Sequence, residues 1–571
     1  MTIDKPSSIQ PSLSSDVSRR DFLKLLGLTL AGGAMVQSLQ FSNQPAEASD
    51  AKLASNHQTS LPPHPNIVII ITDQERYPQH WPADYDFALK HPGRTALAKN
   101  GITFRRAYCN SAMCSPSRAN LFTGMHPAQH GLDHTLTYDY SLNSLAATEK
   151  PMSLAVPNLA SMLASAGYRV VLKGKWHLSK HADGTPPDAD DVASYGFTEW
   201  EPTTAGEATS PDDFGGGCAN WDGLIGAQAQ TWLQNNAPYD PNKPFALIVS
   251  LANPHDLLSY PDTWDSQSST DPNCYNYRDT ADFNQGISLP PTINEKLDLN
   301  HKPSVQSASM DLYAAVLGTL LTNQNKLNYV NFYADLQILI DNQIQAIVNE
   351  LKTQGLIEST VIIRVSDHGE MGLSHGGLRQ KMFNAYEETI HIPFVISNPI
   401  LFPTAIESDA LTSLIDVMPT IATIAQVPNP NRALFKGKDL TPLFTSPTGS
   451  VQNTILYTFD DDRAGTGWVS PTIESKPHHI HAIIHSDTDG EWKFARYYNP
   501  EGGVSEEYEM YRLKDEHDLP TDVNEMSNLV FDSTWDWKQT ELKQILTQVE
   551  SERLSPLDFQ YLPMVKNGSS T

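Results

Sequence analysis

Ile67-Val68-Ile69-Ile70-Ile71 is an unbroken β-branched run, and Asp73-Gln74 follows it almost at once. A strand apolar on both sides is buried on both faces, as in the middle of a parallel sheet. Working outward, Tyr168–Leu172, Phe245–Leu251, Val361–Val365 and Ile392–Ile396 read as further strands. Between them lie helical patterns. One runs from Val156 to Gly167, opened by Pro157, with Leu159, Met162, Leu163 and Ala166 on one face. Another carries Leu336, Ile340, Ile344, Ile347, Val348 and Leu351 and closes at Gly355. This alternation predicts an α/β fold with a mostly parallel central sheet flanked by helices.

Candidate chemical groups recur just past the strand ends, where open parallel sheets bind ligands. They are Asp73-Gln74, then Lys175 and His177 in Gly174-Lys175-Trp176-His177, then Asn253-Pro254-His255, then Asp367-His368-Gly369-Glu370, with His375 and Lys381 behind. Lys175 and His177 are two apart and share a face if extended. Taken one at a time, a lone histidine is more often a satisfied polar group, and a lone lysine a solvated one. His375 reads equally as a supporting group or a plain turn, and Glu387 as structural.

The densest stretch is Cys114-Ser115-Pro116-Ser117-Arg118-Ala119-Asn120-Leu121-Phe122-Thr123-Gly124. Pro116 and Gly124 fit a short helix, with Ser115 as its cap. Ser117-Arg118 between them have no such local explanation. The stretch matches the signature C-x-P-S-R-x-x-L-x-T-G, and the chain resembles the type I, formylglycine-dependent sulfatases of the alkaline phosphatase superfamily. The resemblance spans most of residues 66–528 and includes a closing segment, Glu509–Asp515 to Asn528-Leu529.

That resemblance implies an alkaline-phosphatase-like fold and hydrolysis of a sulfate ester to an alcohol and inorganic sulfate. It implies that Cys114 is oxidised to formylglycine, whose hydrate is the nucleophile, and that Asp73, Gln74, Cys114, Asp367 and His368 hold one divalent metal. Oxygen donors favour Ca²⁺, with Mg²⁺ or Mn²⁺ as alternatives. Arg118 then supports the nucleophile and metal, Lys175 contacts sulfate and nucleophile, and His177 accepts a proton. His255 and Lys381 bind the sulfate oxygens, and one of them protonates the leaving alcohol. Gln74 stands where many members carry Asp, and His368 where many carry Asn. Both keep a related activity open, that of phosphonate monoester and phosphodiester hydrolases. A binding relative with unmodified Cys114 is a further alternative.

The 571 residues carry a formal net charge of −27, with 39% apolar and 18% charged side chains. Such acidity argues against nucleic acid and anionic membranes as partners, so a site for an anionic ester needs local cations. Arg118, Lys175 and Lys381 meet that need. The expected substrate is a small-molecule or carbohydrate sulfate ester.

Ser18-Arg19-Arg20-Asp21-Phe22-Leu23-Lys24, the apolar run Leu25–Val36 and Ala46-Glu47-Ala48 resemble a twin-arginine signal peptide over 1–48. The run is too short for a stable membrane anchor. A periplasmic or secreted protein is expected, with the Tat machinery and a formylglycine-generating enzyme as maturation partners. The remaining plan is a linker (49–65), a catalytic domain (66–445) with a polar insertion (256–331), and a C-terminal subdomain (446–571). The insertion reads either as shaping a pocket mouth or as a surface loop. His479–Ile484 and Trp492–Tyr497 flank Asp489-Gly490 as a hairpin, so the C-terminal part is expected to be a smaller antiparallel sheet. Of the four cysteines, Cys109, Cys218 and Cys274 remain if Cys114 is modified; a Cys218–Cys274 bond and free thiols both stay open.

Overall fold

In the computed structural model, β1 (Asn66–Asp73) is buried along its whole length. Its side chains alternate between two cores. Ile67, Ile69 and Ile71 join one with Phe122, Trp176 and Ile421. Val68 and Ile70 join the other with Ile340, Ile344, Ile347 and Val348. The structure describes residues 60–556, except 79–80, 82–84, 138–148, 182–183, 202–220, 263, 266–278, 429–433 and 464–469. The expected signal peptide, most of the linker, Cys218 and Cys274 lie outside the described residues.

The other strands, in chain order, are β2 (Gly101–Phe104), β3 (Ala107–Tyr108), β4 (Arg169–Gly174), β5 (Phe245–Pro254), β6 (Thr360–Ser366), β7 (Phe394–Ser397), β8 (Ile406–Ser408), β9 (Thr412–Ser413), β10 (Thr454–Phe459), β11 (His479–Asp487), β12 (Gly490–Tyr498) and β13 (Glu507–Lys514). The main sheet has seven strands in the order β4-β5-β1-β6-β7-β2-β8. β1 pairs in parallel with β5 and β6, Ile67 lying opposite both Ala246 and Val361. β7 runs antiparallel to β6 and to β2, so the sheet is mixed at that side. The mostly parallel sheet flanked by helices is therefore as expected.

The helix Asn323–Thr353 lays Ile340, Ile344, Ile347, Val348 and Leu351 on one sheet face, while Leu336 packs in a separate cluster with Leu257 and Tyr260. Burying each such side chain contributes about 1.5–3 kcal/mol. The expected helix from Val156 begins later, at Leu159. Asn158 caps it, its side chain accepting from Ser161 N at 3.0 Å while Ser161 Oγ accepts from Asn158 N, also at 3.0 Å. Pro157 stands before the cap rather than inside the first turn. Within the polar stretch 256–331 lies an unexpected helix, Ser304–Val316, with Gln306 and Ser309 buried.

β10 to β13 form the expected antiparallel sheet in sequential order. The helix Asp536–Arg553 covers one face, packing Leu542, Leu546 and Val549 against Trp492 and Phe494.

Candidate active site

Most groups of the site are delivered by a strand end or by one helix, while Lys381 comes from the loop between β6 and β7. Thr72 pairs with Ser366 across β1 and β6, so Asp73 and Asp367 emerge side by side. Asp367 Oδ1 accepts from Gln74 N at 3.1 Å and from His368 N at 2.9 Å, tying the two strand ends together. Cys114 is the first residue of the helix Cys114–Thr123, and Gly124 ends it at φ 68°. The expectation that Ser115 caps this helix is corrected. Met113 is the N-cap, and Ser115 Oγ accepts instead from Leu136 N at 3.1 Å. Ser117 Oγ donates to Asp367 O at 2.5 Å, clamping the helix to β6.

Cys114 Sγ lies 3.2 Å from His368 Nε2 and 3.7 Å from Asp73 Oδ1. Ligand-type atoms of Asp73, Cys114, Asp367 and His368 all fall within 4.8 Å of one another. Arg118 comes one helical turn after Cys114. Its Nη2 sits 2.9 Å from Asp73 Oδ2, its Nε 3.2 Å from Asp367 Oδ2, and its Nη1 donates to Ser250 Oγ at 2.7 Å.

The other cations come from β4 and from the segment after β6. Lys175 Nζ is 2.8 Å from Asp73 Oδ2. The chain turns into the site at Gly174, φ 91°, where a Cβ would lie 2.0 Å from the Ser250 carbonyl oxygen, so only glycine fits. Lys381 Nζ donates to Gln74 Oε1 at 2.7 Å. His177 Nε2 lies 2.8 Å from Leu136 O. His255, at the end of β5, is 4% exposed and feels the charges of Lys175, Lys381 and Asp73. Asp222 fixes this strand end by accepting from Ala252 N at 2.7 Å and Asn253 N at 3.1 Å.

Electrostatics follow from this crowding. Burial alone would raise the Asp73 carboxyl, but Lys175 and Arg118 outweigh it and hold Asp73 well below the usual carboxylate range. Burial and the Asp73 charge push Asp367 up to about 7. Burial, with Asp73 beside it, pushes the Cys114 thiol up to about 12. Burial holds His177, His255 and His368 well below their ordinary value, so all three rings are neutral.

The expected residues Asp73, Gln74, Cys114, Arg118, Lys175, His177, His255, Asp367, His368 and Lys381 are thus brought into one buried site. His375 is not part of it. Its Nδ1 pairs with Glu295 Oε2 at 2.6 Å, and the ring stacks on Tyr386 with centroids 3.7 Å apart. Glu387 has the structural place expected, its Oε1 2.6 Å from Lys493 Nζ. Sequence reading missed Ser250, Asp222 and the Leu136 carbonyl, which have no motif around them. The converging donor set, two carboxylates, one imidazole and residue 114, fits a hard divalent cation that tolerates one nitrogen, while the Gln74 amide oxygen accepts from Lys381.

Comparison with known proteins agrees with this geometry. The Sulfatase family model matches residues 65–427, and a model described as N-sulphoglucosamine sulphohydrolase, C-terminal, matches 375–552. An ulvan-active sulfatase of Formosa agariphila is 26% identical over 408 residues, covering 69% of this chain and 68% of that protein. An N-acetylglucosamine-6-O-sulfatase of Bacteroides thetaiotaomicron is 22% identical, covering 89% of this chain and 90% of that protein. Among solved structures, a 2-O GAG sulfatase superposes with TM-score 0.62 at 20% identity, over 88% of this chain and 94% of the other. A phosphonate monoester hydrolase of Silicibacter pomeroyi superposes with TM-score 0.60 at 19% identity, over 86% and 96%. With its signature helix, its strand-end site and a family match over well over half its length, the chain belongs to the sulfatases of the alkaline phosphatase superfamily, hydrolases of sulfuric esters.

Proposed function

We propose that this sulfatase splits a carbohydrate sulfate ester into alcohol and inorganic sulfate, with formylglycine made from Cys114 as nucleophile and one divalent metal beside it. One observation carries the reading: Cys114 opens a helix with Asp73, Asp367 and His368 within 4.8 Å. The names of the relatives support a sulfated carbohydrate as substrate class.

Left as a thiol raised to about 12, Cys114 would be almost wholly protonated and a poor nucleophile. Oxidation to an aldehyde supplies a hydrate with two hydroxyls on one carbon, one to attack sulfur and one to lose its proton and expel sulfate. Bound by Asp73, Gln74, Asp367, His368 and residue 114, a divalent cation, Ca²⁺ before Mg²⁺ or Mn²⁺, would polarise the ester and its nucleophile.

The chain's own groups do the rest. Arg118 balances Asp73 and Asp367 and keeps both in place. Lys175, Lys381 and His255 gather the negative charge of the sulfate. His177 is neutral, and its Nε2 faces a carbonyl that only accepts, so its lone pair lies on Nδ1 as a base. Lys381 supplies the proton to the leaving alcohol, or His255 does once the negative charge of the bound sulfate has favoured its protonation.

Gln74 and His368 favour a second reading, a phosphonate monoester or phosphodiester hydrolase. Two measurements test the choice. Peptide mass analysis at residue 114 of exported protein should show the lower mass of formylglycine. Turnover of a sulfate monoester should exceed that of a phosphate diester; a large preference for the diester overturns the reading. An unmodified Cys114 with no turnover would favour a binding role. Export by the twin-arginine route to the periplasm or beyond, with a formylglycine-generating enzyme acting first, completes the proposal. Among the described residues no helix is long and apolar enough to cross a membrane.

A further inference from the structure

Residues 133–137 form neither helix nor strand, yet they carry a backbone carbonyl on which the site depends. Leu136 is fully buried. Its N–H donates to Ser115 Oγ at 3.1 Å, next to Cys114, and its carbonyl accepts from His177 Nε2 at 2.8 Å. That carbonyl decides which ring nitrogen of His177 keeps its lone pair. A segment without regular structure cannot hold a carbonyl in place by itself, so something else must.

Two carboxylates do so. On one side Glu149, 5% exposed, accepts from Thr137 N at 2.6 Å and from Thr137 Oγ1 at 2.9 Å. Lys180 Nζ, 2.8 Å from Glu149 Oε2, offsets the buried charge. On the other side Asp461, 1% exposed and just past β10, accepts from Thr135 N at 2.8 Å. The neighbouring Asp462 lies 3.0 Å from His134 Nε2. The strap is thus pinned both from the catalytic part of the chain and from the C-terminal sheet.

We propose that Glu149 and Asp461 are positioning residues that set the tautomer and aim of His177 through Leu136. This deepens the proposed function and rests on it only for the part His177 plays in turnover. It also gives the C-terminal sheet a place in catalysis, since Asp461 follows the last residue of β10 by two.

The test uses full-length protein labelled with ¹⁵N-histidine, His177 being assigned from the signals lost in His177→Gln. Wild type is expected to show the proton on Nε2. Glu149→Ala and Asp461→Ala should mix the two tautomers and lower kcat on 4-methylumbelliferyl sulfate roughly 10- to 100-fold, as small misplacements do. KM should stay within about twofold, because sulfate binding is untouched. Asp461→Asn, which can still accept from Thr135 N, should remain near wild type. If Glu149→Ala does not fold, Asp461→Ala carries the test. Wild-type protein with its proton on Nδ1, or variants that keep both the tautomer and kcat, would overturn the proposal. If no sulfate ester is turned over, the sulfatase reading fails by itself, while the tautomer still decides this one.

Discussion

Lys381 and Gln74 meet inside the site, the ammonium donating to Gln74 Oε1 at 2.7 Å. The far side of the same amide donates to Glu370 Oε2 at 2.6 Å and to Gln380 Oε1 at 3.2 Å. Only an amide serves both partners, with its carbonyl toward a cation and its NH₂ toward a carboxylate. The departure from an aspartate at position 74 therefore has a local cause: a carboxylate there would face Glu370 with like charge.

Gln74→Glu should accordingly lower the unfolding free energy in urea by about 1–3 kcal/mol, the cost of lost buried donors and a like-charge contact. Pairing it with Glu370→Gln should restore part of the loss, since the two side chains touch and their effects are not additive. Equal stability of Gln74→Glu and wild type would refute this account of position 74.

Much of this site was legible before the structure because its groups are announced by patterns. Asp73, Lys175, His255 and Asp367 each follow an apolar strand, and Cys114 and Arg118 sit in a dense motif. Three kinds of feature were not legible. Strand direction is one: the apolar run at Phe394–Ser397 is the same whether it pairs parallel or antiparallel. Helices with buried polar residues are another. Gln306 bonds Tyr497 and Glu509 inside the protein, which erases the apolar period of Ser304–Val316. The third is backbone function. Nothing in the letter Leu136 says that its carbonyl orients His177, and Ser115 reads as a cap until Leu136 N takes its hydroxyl.

Cys114→Ala should reduce turnover of a sulfate monoester by at least about 10³-fold, the scale of losing a covalent nucleophile. The fold should survive, because the helix is held by Ser117 and Arg118 rather than by Sγ. The check is steady-state kinetics beside a thermal melt. A variant that keeps full activity would end the covalent reading.

Prolonged chelation should lower both turnover and thermal stability, and added Ca²⁺ should restore them. Two buried carboxylates, Asp73 and Asp367, converge with residue 114, and a bound cation that prefers the folded state stabilises it by mass action. At about 100 times its dissociation constant the gain is ~2.7 kcal/mol. Melting curves with EDTA, then with Ca²⁺, Mg²⁺ or Mn²⁺ added back, measure it and rank the metals. A melt indifferent to chelation and to all three ions would count against metal binding by this set.

His375 should make the protein less stable as the medium turns alkaline. Burial alone would strip its proton, but Glu388 and Glu295 outweigh burial and raise its pKa to about 9. The folded protein thus binds this proton more tightly than the unfolded chain, whose histidines titrate near about 6.5. The stabilisation is whole below about pH 6.5 and is lost as pH climbs through about 9, a change on the order of 3 kcal/mol. Burial also raises Glu525, to about 7, and Asp256, to about 8, and both oppose stability at high pH in the same sense. The informative quantity is therefore the difference between wild type and His375→Gln in urea unfolding at pH 6 and at pH 9.5. The variant should be markedly weaker at pH 6 and nearly level with wild type at pH 9.5. A gap of equal size at both pH values would mean that His375 contributes through its stacking on Tyr386 and not through its charge.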